Sequence, residues 1–95
     1  GVYEVTNAQY ANWLNEAFQN QSIKFGEGNQ SGYILDQEGH ILCKTLEANP
    51  LSQLSLQKQG NLVIIKPIPS KEDYPVIEVT WYGAQAYCQA KSYRL

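Results

Sequence analysis

The chain has little with which to do most enzyme chemistry. Only 17% of its 95 residues are charged, and it carries two cysteines, one histidine and no run of basic residues. Cys43 and Cys88 are too few for a disulfide scaffold, and they lack metal-ligand spacing. A net charge of -2 without a basic cluster gives no electrostatic footprint for nucleic acid or an anionic membrane surface, so neither is expected as a partner. No apolar run approaches the roughly 20 residues that span a bilayer, and the first residues do not read as a signal peptide. With His40 the sole imidazole, neither cysteine has a base beside it in sequence. The carboxylates Glu4, Glu16, Asp36, Glu38, Glu47, Glu72, Asp73 and Glu78 show no spacing that separates a catalytic pair from solvated charge. There is no glycine-rich phosphate loop, internal repeat or low-complexity tract.

What the chain does have is apolar residues in ordered patterns. A hydrophobic fraction of 43%, with 12% aromatics, suffices for one core, so residues 1–95 are read as one small domain. Thr6 and Gln9 form a T-x-x-Q capping box, flanked by Val5 and Tyr10 at the staple positions. Tyr10, Trp13, Leu14, Ala17 and Phe18 follow at helical spacing, which predicts an amphipathic helix over residues 6–19 with Trp13 in the core and Asn12, Asn15, Glu16 and Gln19 on the other side. Near the other end, Val76, Glu78 and Thr80 alternate with Ile77, Val79 and Trp81. This predicts a short strand with an apolar face, capped at Thr80 into a second helix over residues 80–92. Ala84, Tyr87 and Cys88 fall on the Trp81 side of that helix, and the two aromatic faces are expected to roof one interior.

Between the helices the pattern is β-like. Residues 21–32 are polar and glycine-rich and read as a surface loop; Asn20, just before it, and Asn29 within it each begin an N-x-S glycosylation pattern. Tyr33-Ile34-Leu35 and Ile41-Leu42-Cys43 flank a turn containing Gly39, and Leu54–Gln57 and Leu62–Ile65 flank a second, so two hairpins are predicted with an irregular link through Asn49-Pro50. Asp36, Glu38 and His40 share the first turn and are read as solvated, without a fourth ligand nearby. Residues 66–74, with Pro67 and Pro69, are read as a surface linker. The abundance of Asn, Gln, Ser and Tyr suits a secreted, periplasmic or cell-surface protein. The cysteines are left open: two free thiols, a bridge between Cys43 and Cys88, or a bridge from Cys88 to a cysteine outside this chain.

PVIEVTWYGAQAYC at residues 75–88 closely resembles the PVxxVSWxDAxAYC signature of the formylglycine-generating enzyme family, the sulfatase-modifying factors. YEVTNAQY at residues 3–10 is similar to a second segment of that family, and Arg94-Leu95 matches the residues that precede its PTEAEWE segment. Gly83 departs from the pattern, standing where an acidic residue is usual, and so does Ala90, where tryptophan is common. The resemblance implies an α+β fold of irregular C-type-lectin-like architecture, of which residues 1–95 form the N-terminal half, with short antiparallel hairpins between the two helices. It places the copper-binding cysteine pair, the substrate groove and the calcium ligands of catalytic members after PTEAEWE, so no catalytic, metal or cofactor residue carries over, and Cys88 is not one of that pair. In disulfide-containing members the cysteine of the AYC motif pairs with one in the C-terminal half. The implied role is a non-catalytic scaffold, binding or assembly portion; the alternative is the framework of an intact enzyme that oxidises a sulfatase cysteine to formylglycine or runs the related iron-dependent C–S chemistry. Apolar faces built for a longer domain imply a protein partner, the remainder of the parent domain, or self-association, with Leu62 and Ile64 then covered.

Overall fold

The computed structural model describes residues 5–60 and 62–91. Tyr3 and Glu4 of the first motif, together with Ser92, Tyr93, Arg94 and Leu95, lie outside them. Helix α1 (Asn7–Gln19) starts where the capping box predicts: the Thr6 hydroxyl accepts from the Gln9 amide at 3.1 Å, and the Gln9 side chain accepts from the Thr6 amide at 3.0 Å. Its inner face buries Tyr10, Ala11, Trp13, Leu14 and Ala17, the expected stripe.

Three strands follow as one antiparallel sheet in the order β1 (Ile23–Phe25), β2 (Tyr33–Asp36), β3 (Ile41–Lys44). Strand β1 corrects the reading of residues 21–32 as loop throughout. Ile23 is buried and Phe25 stacks on Phe18 at 4.0 Å, so the alternation Ile-Lys-Phe holds a short edge strand against α1 despite its polar surroundings. The β2–β3 hairpin forms as predicted, with Gly39 at φ 92° in its turn, where a side chain would be strained. The register shifts between Ile34 and Leu35.

The second hairpin, β4 (Leu54–Gln59) and β5 (Leu62–Pro67), is also where the sequence puts it, but its strands are longer. Pairing runs from Leu54 with Pro67 to Gln59 with Leu62, so the turn is tighter than the flanking residues suggested, and Lys66 and Pro67 belong to the strand rather than the linker. Pro67 sits at the strand end, where a missing amide does not interrupt the ladder.

Helix α1 lies across β5, and a polar side chain makes the joint. Asn15 donates from Nδ2 to the Ile65 carbonyl at 3.0 Å and accepts the Ile65 amide on Oδ1 at 2.8 Å, so a side-chain amide takes the place of a neighbouring strand. Asn15 therefore belongs to a packed interface, which corrects its assignment to the solvent side. The core gathered between α1 and the two sheets contains Tyr10, Trp13, Leu14, Ile34, Leu42, Cys43, Leu54 and Ile65, all buried.

The Pro75–Thr80 segment is the main departure. It is not a continuous strand but two isolated bridges, Thr6 with Pro75 and Cys43 with Val79. Glu78 between them adopts φ 60°, which breaks the two-residue alternation. Ile77 is consequently 40% exposed instead of sharing an inner face with Val79. Helix α2 (Trp81–Ala90) then starts at Thr80 as predicted, but it buries Gly83 and Tyr87 while Trp81 stands 67% exposed. The Trp81 side of the helix is thus not its core side.

Candidate functional site

The two motifs of the sequence are 65 or more positions apart in the chain and meet in space. The Val76 amide donates to the Val5 carbonyl at 2.8 Å, the Asn7 amide to the Tyr74 carbonyl at 2.9 Å and the Ala8 amide to the Glu72 carbonyl at 3.0 Å. Carbonyls of residues 72–74 thus satisfy amides that would otherwise be orphaned at the start of α1. Asn7, fully buried, donates from Nδ2 to the Gln53 side chain and to the Lys71 carbonyl, each at 2.8 Å, while its Oδ1 is buried without a partner among the described residues. Neither Asn7 nor Asn15 stood out in the sequence. A signal was available, because asparagine is a poor helix former and three of them within one helix, Asn7, Asn12 and Asn15, call for a reason.

From Glu78 onward the second motif is stitched to β3 instead. The Lys44 amide donates to Glu78, the Thr80 amide to Leu42 at 2.9 Å, and the Thr80 hydroxyl donates to the Ile41 and Leu42 carbonyls while accepting the Gly83 amide at 3.1 Å. This hydroxyl caps the helix and also fixes it to the sheet. Helix and strand come so close that a Cβ on Gly83 would overlap the Leu42 carbonyl oxygen and lie 2.8 Å from the Tyr10 hydroxyl. Gly83, a departure from the family pattern, is what this approach requires.

The aromatic faces of the two helices do share an interior. Tyr10 stacks on Tyr87 at 5.6 Å, Trp13 meets Tyr87 edge-on at 5.6 Å, and the Tyr10 hydroxyl donates to the Gly83 carbonyl at 3.1 Å. Tyr87 makes this contact in place of Trp81. Burial, and next to it the nearby Cys43, push the Tyr10 phenol far above its usual value.

Cys43 and Cys88 are both free, so the bridge considered between them is not made. Cys43 is sealed in the core, and burial pushes its thiol up to about 12, which keeps it protonated and inert. Cys88 is half-buried at the edge of an apolar recess of about 370 Å³ lined also by Val5, Val76, Val79 and Tyr87.

Asp36, Glu38 and His40, read as solvated, are drawn together by the β2–β3 turn until a ligand-type atom from each lies within 4.8 Å of the others. Asp36 organises that turn. Its Oδ1 accepts the Glu38 and His40 amides, each at 2.9 Å, and its Oδ2 sits 2.9 Å from His40 Nδ1. Desolvation acts to raise the Asp36 carboxyl, but the His40 amide, the His40 side chain and the Glu38 amide together hold it below its ordinary value. The His40 ring lies flat on Tyr82, with centroids 4.1 Å apart and planes within 2°. Asn20 and Asn29 are both exposed: Asn20 caps the end of α1 and accepts from the Ser22 amide at 3.1 Å and from the Ser22 hydroxyl, and Asn29 lies in a 3-10 turn (Gly28–Gln30).

The arrangement defines an α+β domain in which two distant motifs are tied into one junction by backbone pairing. The family model described as "Sulfatase-modifying factor enzyme 1-like domain" matches residues 1–95, and the chain belongs to that family. Neither the curated proteins nor the solved structures compared with it give a match. No helix among the described residues is long and apolar enough to cross a membrane.

Proposed function

We propose that this chain is the framework of a sulfatase-modifying-factor-like domain, its N-terminal half, and that it supplies scaffold and binding surface rather than a reacting group. The observation that carries this is the use made of the motif side chains. Thr6 and Gln9 are tied up in the cap of α1, Thr80 in the cap of α2 and in β3, and the Tyr10 hydroxyl at Gly83. Cys43 is sealed and protonated, and no base stands beside it among its described contacts. The hydroxyls of Thr6, Tyr10 and Thr80 at the junction are all committed to holding the fold.

The large apolar side chains left outside, among them Leu51 at 68% exposure and Leu62 at 52%, suit a surface completed by the remainder of the domain, a protein partner or another copy. A secreted, periplasmic or cell-surface setting fits this composition. The family match equally supports the second reading, in which the same framework belongs to an intact oxidase and copper or calcium is held elsewhere in that protein.

The test is to offer the chain a cysteine-containing sulfatase peptide with copper and oxygen and to count aldehydes by hydrazide labelling. No aldehyde above the protein-free control is expected. Aldehyde that disappears in Cys43→Ser or Cys88→Ser would overturn the framework reading, since it would make one of these thiols a reactant.

A further inference from the structure

Beside α2, on the side away from the core, lies an open recess of about 250 Å³ between the β2–β3 turn and the first two turns of the helix. We infer that this recess, walled by Trp81, Tyr82 and His40 and edged by Asp36, Glu38 and Gln85, is a binding site for an alkylammonium group.

The first observation is charge. The Asp36 and Glu38 carboxylates are held within 4.8 Å of His40 and of each other by the turn, and neither pairs with a lysine or arginine among the described residues. Asp36 is occupied by turn amides and His40, whereas Glu38 is exposed with its carboxylate uncommitted, so the site repels anions and retains one free negative charge for a cation.

The second observation is aromatic surface. Trp81 is 67% exposed and Tyr82 45% exposed, with rings at 80° to each other and centroids 5.3 Å apart. One face of Tyr82 is covered by His40, which Asp36 holds in place, so the ring cannot swing inward to hide. An indole face beside a carboxylate attracts a cation through the ring quadrupole and accepts the methylenes next to it by apolar contact.

The third observation is an unmet acceptor. Gln85 lines the same recess, and its Oε1, shielded from solvent, has no hydrogen-bond partner among the described residues, so a donor in the recess would meet it by a turn of the Gln85 side chain. A buried carbonyl oxygen left unpaired is costly, and an N–H donor is what relieves it. Of the cations that stack on aromatic rings, a quaternary ammonium has no N–H to give; a primary ammonium has three. The combination selects a cation that carries N–H donors over a quaternary one, and an alkylammonium meets that requirement, whether it arrives on a free amine or on a lysine side chain. The site is independent of the framework reading, because nothing in the aldehyde assay depends on it.

The experiment is an NMR titration of the full chain with N-acetyl-lysine methylamide, following the indole N–H signals of its two tryptophans, Trp13 and Trp81. The Trp81 signal should shift saturably in the millimolar range while that of buried Trp13 stays in place. Butylammonium should produce the same pattern; a stronger response to the lysine derivative would point to a peptide as the source. The Nε-acetylated derivative, neutral and of similar shape, should bind at least tenfold more weakly, and tetramethylammonium at least threefold more weakly than butylammonium. Glu38→Gln should weaken binding at least fivefold with an unchanged circular dichroism spectrum. Gln85→Leu, on the same helix, should weaken it as well and serves as the second variant. Equal binding of the neutral derivative, an unchanged affinity in Glu38→Gln, or no shift at Trp81 would overturn the assignment.

Discussion

Both helices open on a threonine whose hydroxyl accepts the amide three residues on, yet they are held in very different ways. Helix α1 has a reciprocal capping box and buries six residues along one face, from Asn7 to Ala17. Helix α2 has half of such a box and buries two, Gly83 and Tyr87. A cap decides where a helix begins, but what its hydroxyl touches next decides which face turns inward. The Thr6 hydroxyl bonds only within its own helix among the described residues. Thr80 also bonds to β3, and that tether, with Gly83 pressed on Leu42, swings Trp81 outward and Tyr87 onto Tyr10 and Trp13.

The widest separation should appear between the two tryptophans. Trp13→Ala empties the centre of the core and is expected to cost about 3–5 kcal/mol, whereas Trp81→Ala, at an exposed ring, should change stability by less than about 1 kcal/mol. Urea unfolding of the two variants measures this; equal losses would mean that Trp81 is packed after all and that the comparison between the helices is wrong.

Gly83→Ala tests the close approach itself. Adding a Cβ where a backbone oxygen already stands should cost about 2–3 kcal/mol, while alanine to serine at Ala84, exposed one residue on, should be nearly silent. A neutral Gly83→Ala would show that α2 can lift from the sheet without penalty.

The caps come next. Thr6→Ala should cost about 1 kcal/mol, the worth of an ordinary N-cap. Thr80→Ala should exceed it, by roughly another 1 kcal/mol, because it also removes donation to the β3 carbonyls. Thermal melts of the pair would reverse the argument if Thr6 proved the more important.

The last effect is one of pH, and it is absent near neutrality. The thiol of Cys43 and the phenol of Tyr10, both at the meeting of the helices, have folded values raised above the ordinary 9.0 and 10.0. The folded state therefore holds these protons more tightly than the unfolded state. Their contribution is complete below about pH 9 and is lost as pH climbs toward the raised values, so stability should decline steadily in alkali. Cys43→Ala should flatten the part of that decline between pH 9 and 12, whereas Cys88→Ala should leave it unchanged.

How much of this was legible depends on whether the cause was local. The capping box, the stripe from Tyr10 to Ala17 and both hairpins were readable because each follows from residues within a few positions of one another. The Pro75–Thr80 strand was misread because its alternation is broken by Glu78, whose conformation answers to the Lys44 amide, far away in the chain. Strand β1 is hard to read because three residues carry almost no periodic signal; pairing with β2, the burial of Ile23 and the stacking of Phe25 on Phe18 hold it in place. At the candidate site, Asp36, Glu38 and His40 could be noticed as neighbours in a turn. That Tyr82, Trp81 and Gln85 complete their surroundings could not, since the helix that carries them arrives from about 40 residues on.

The sequence by itself settled where each helix starts and which segments would pair into hairpins, because caps, turns and short-range alternation are properties of adjacent residues. Only the tertiary structure decided which side of α2 faces the core, which asparagines act as clamps and which aromatic ring is left in solvent. Those outcomes depend on hydrogen bonds and close approaches between segments that the chain itself keeps far apart.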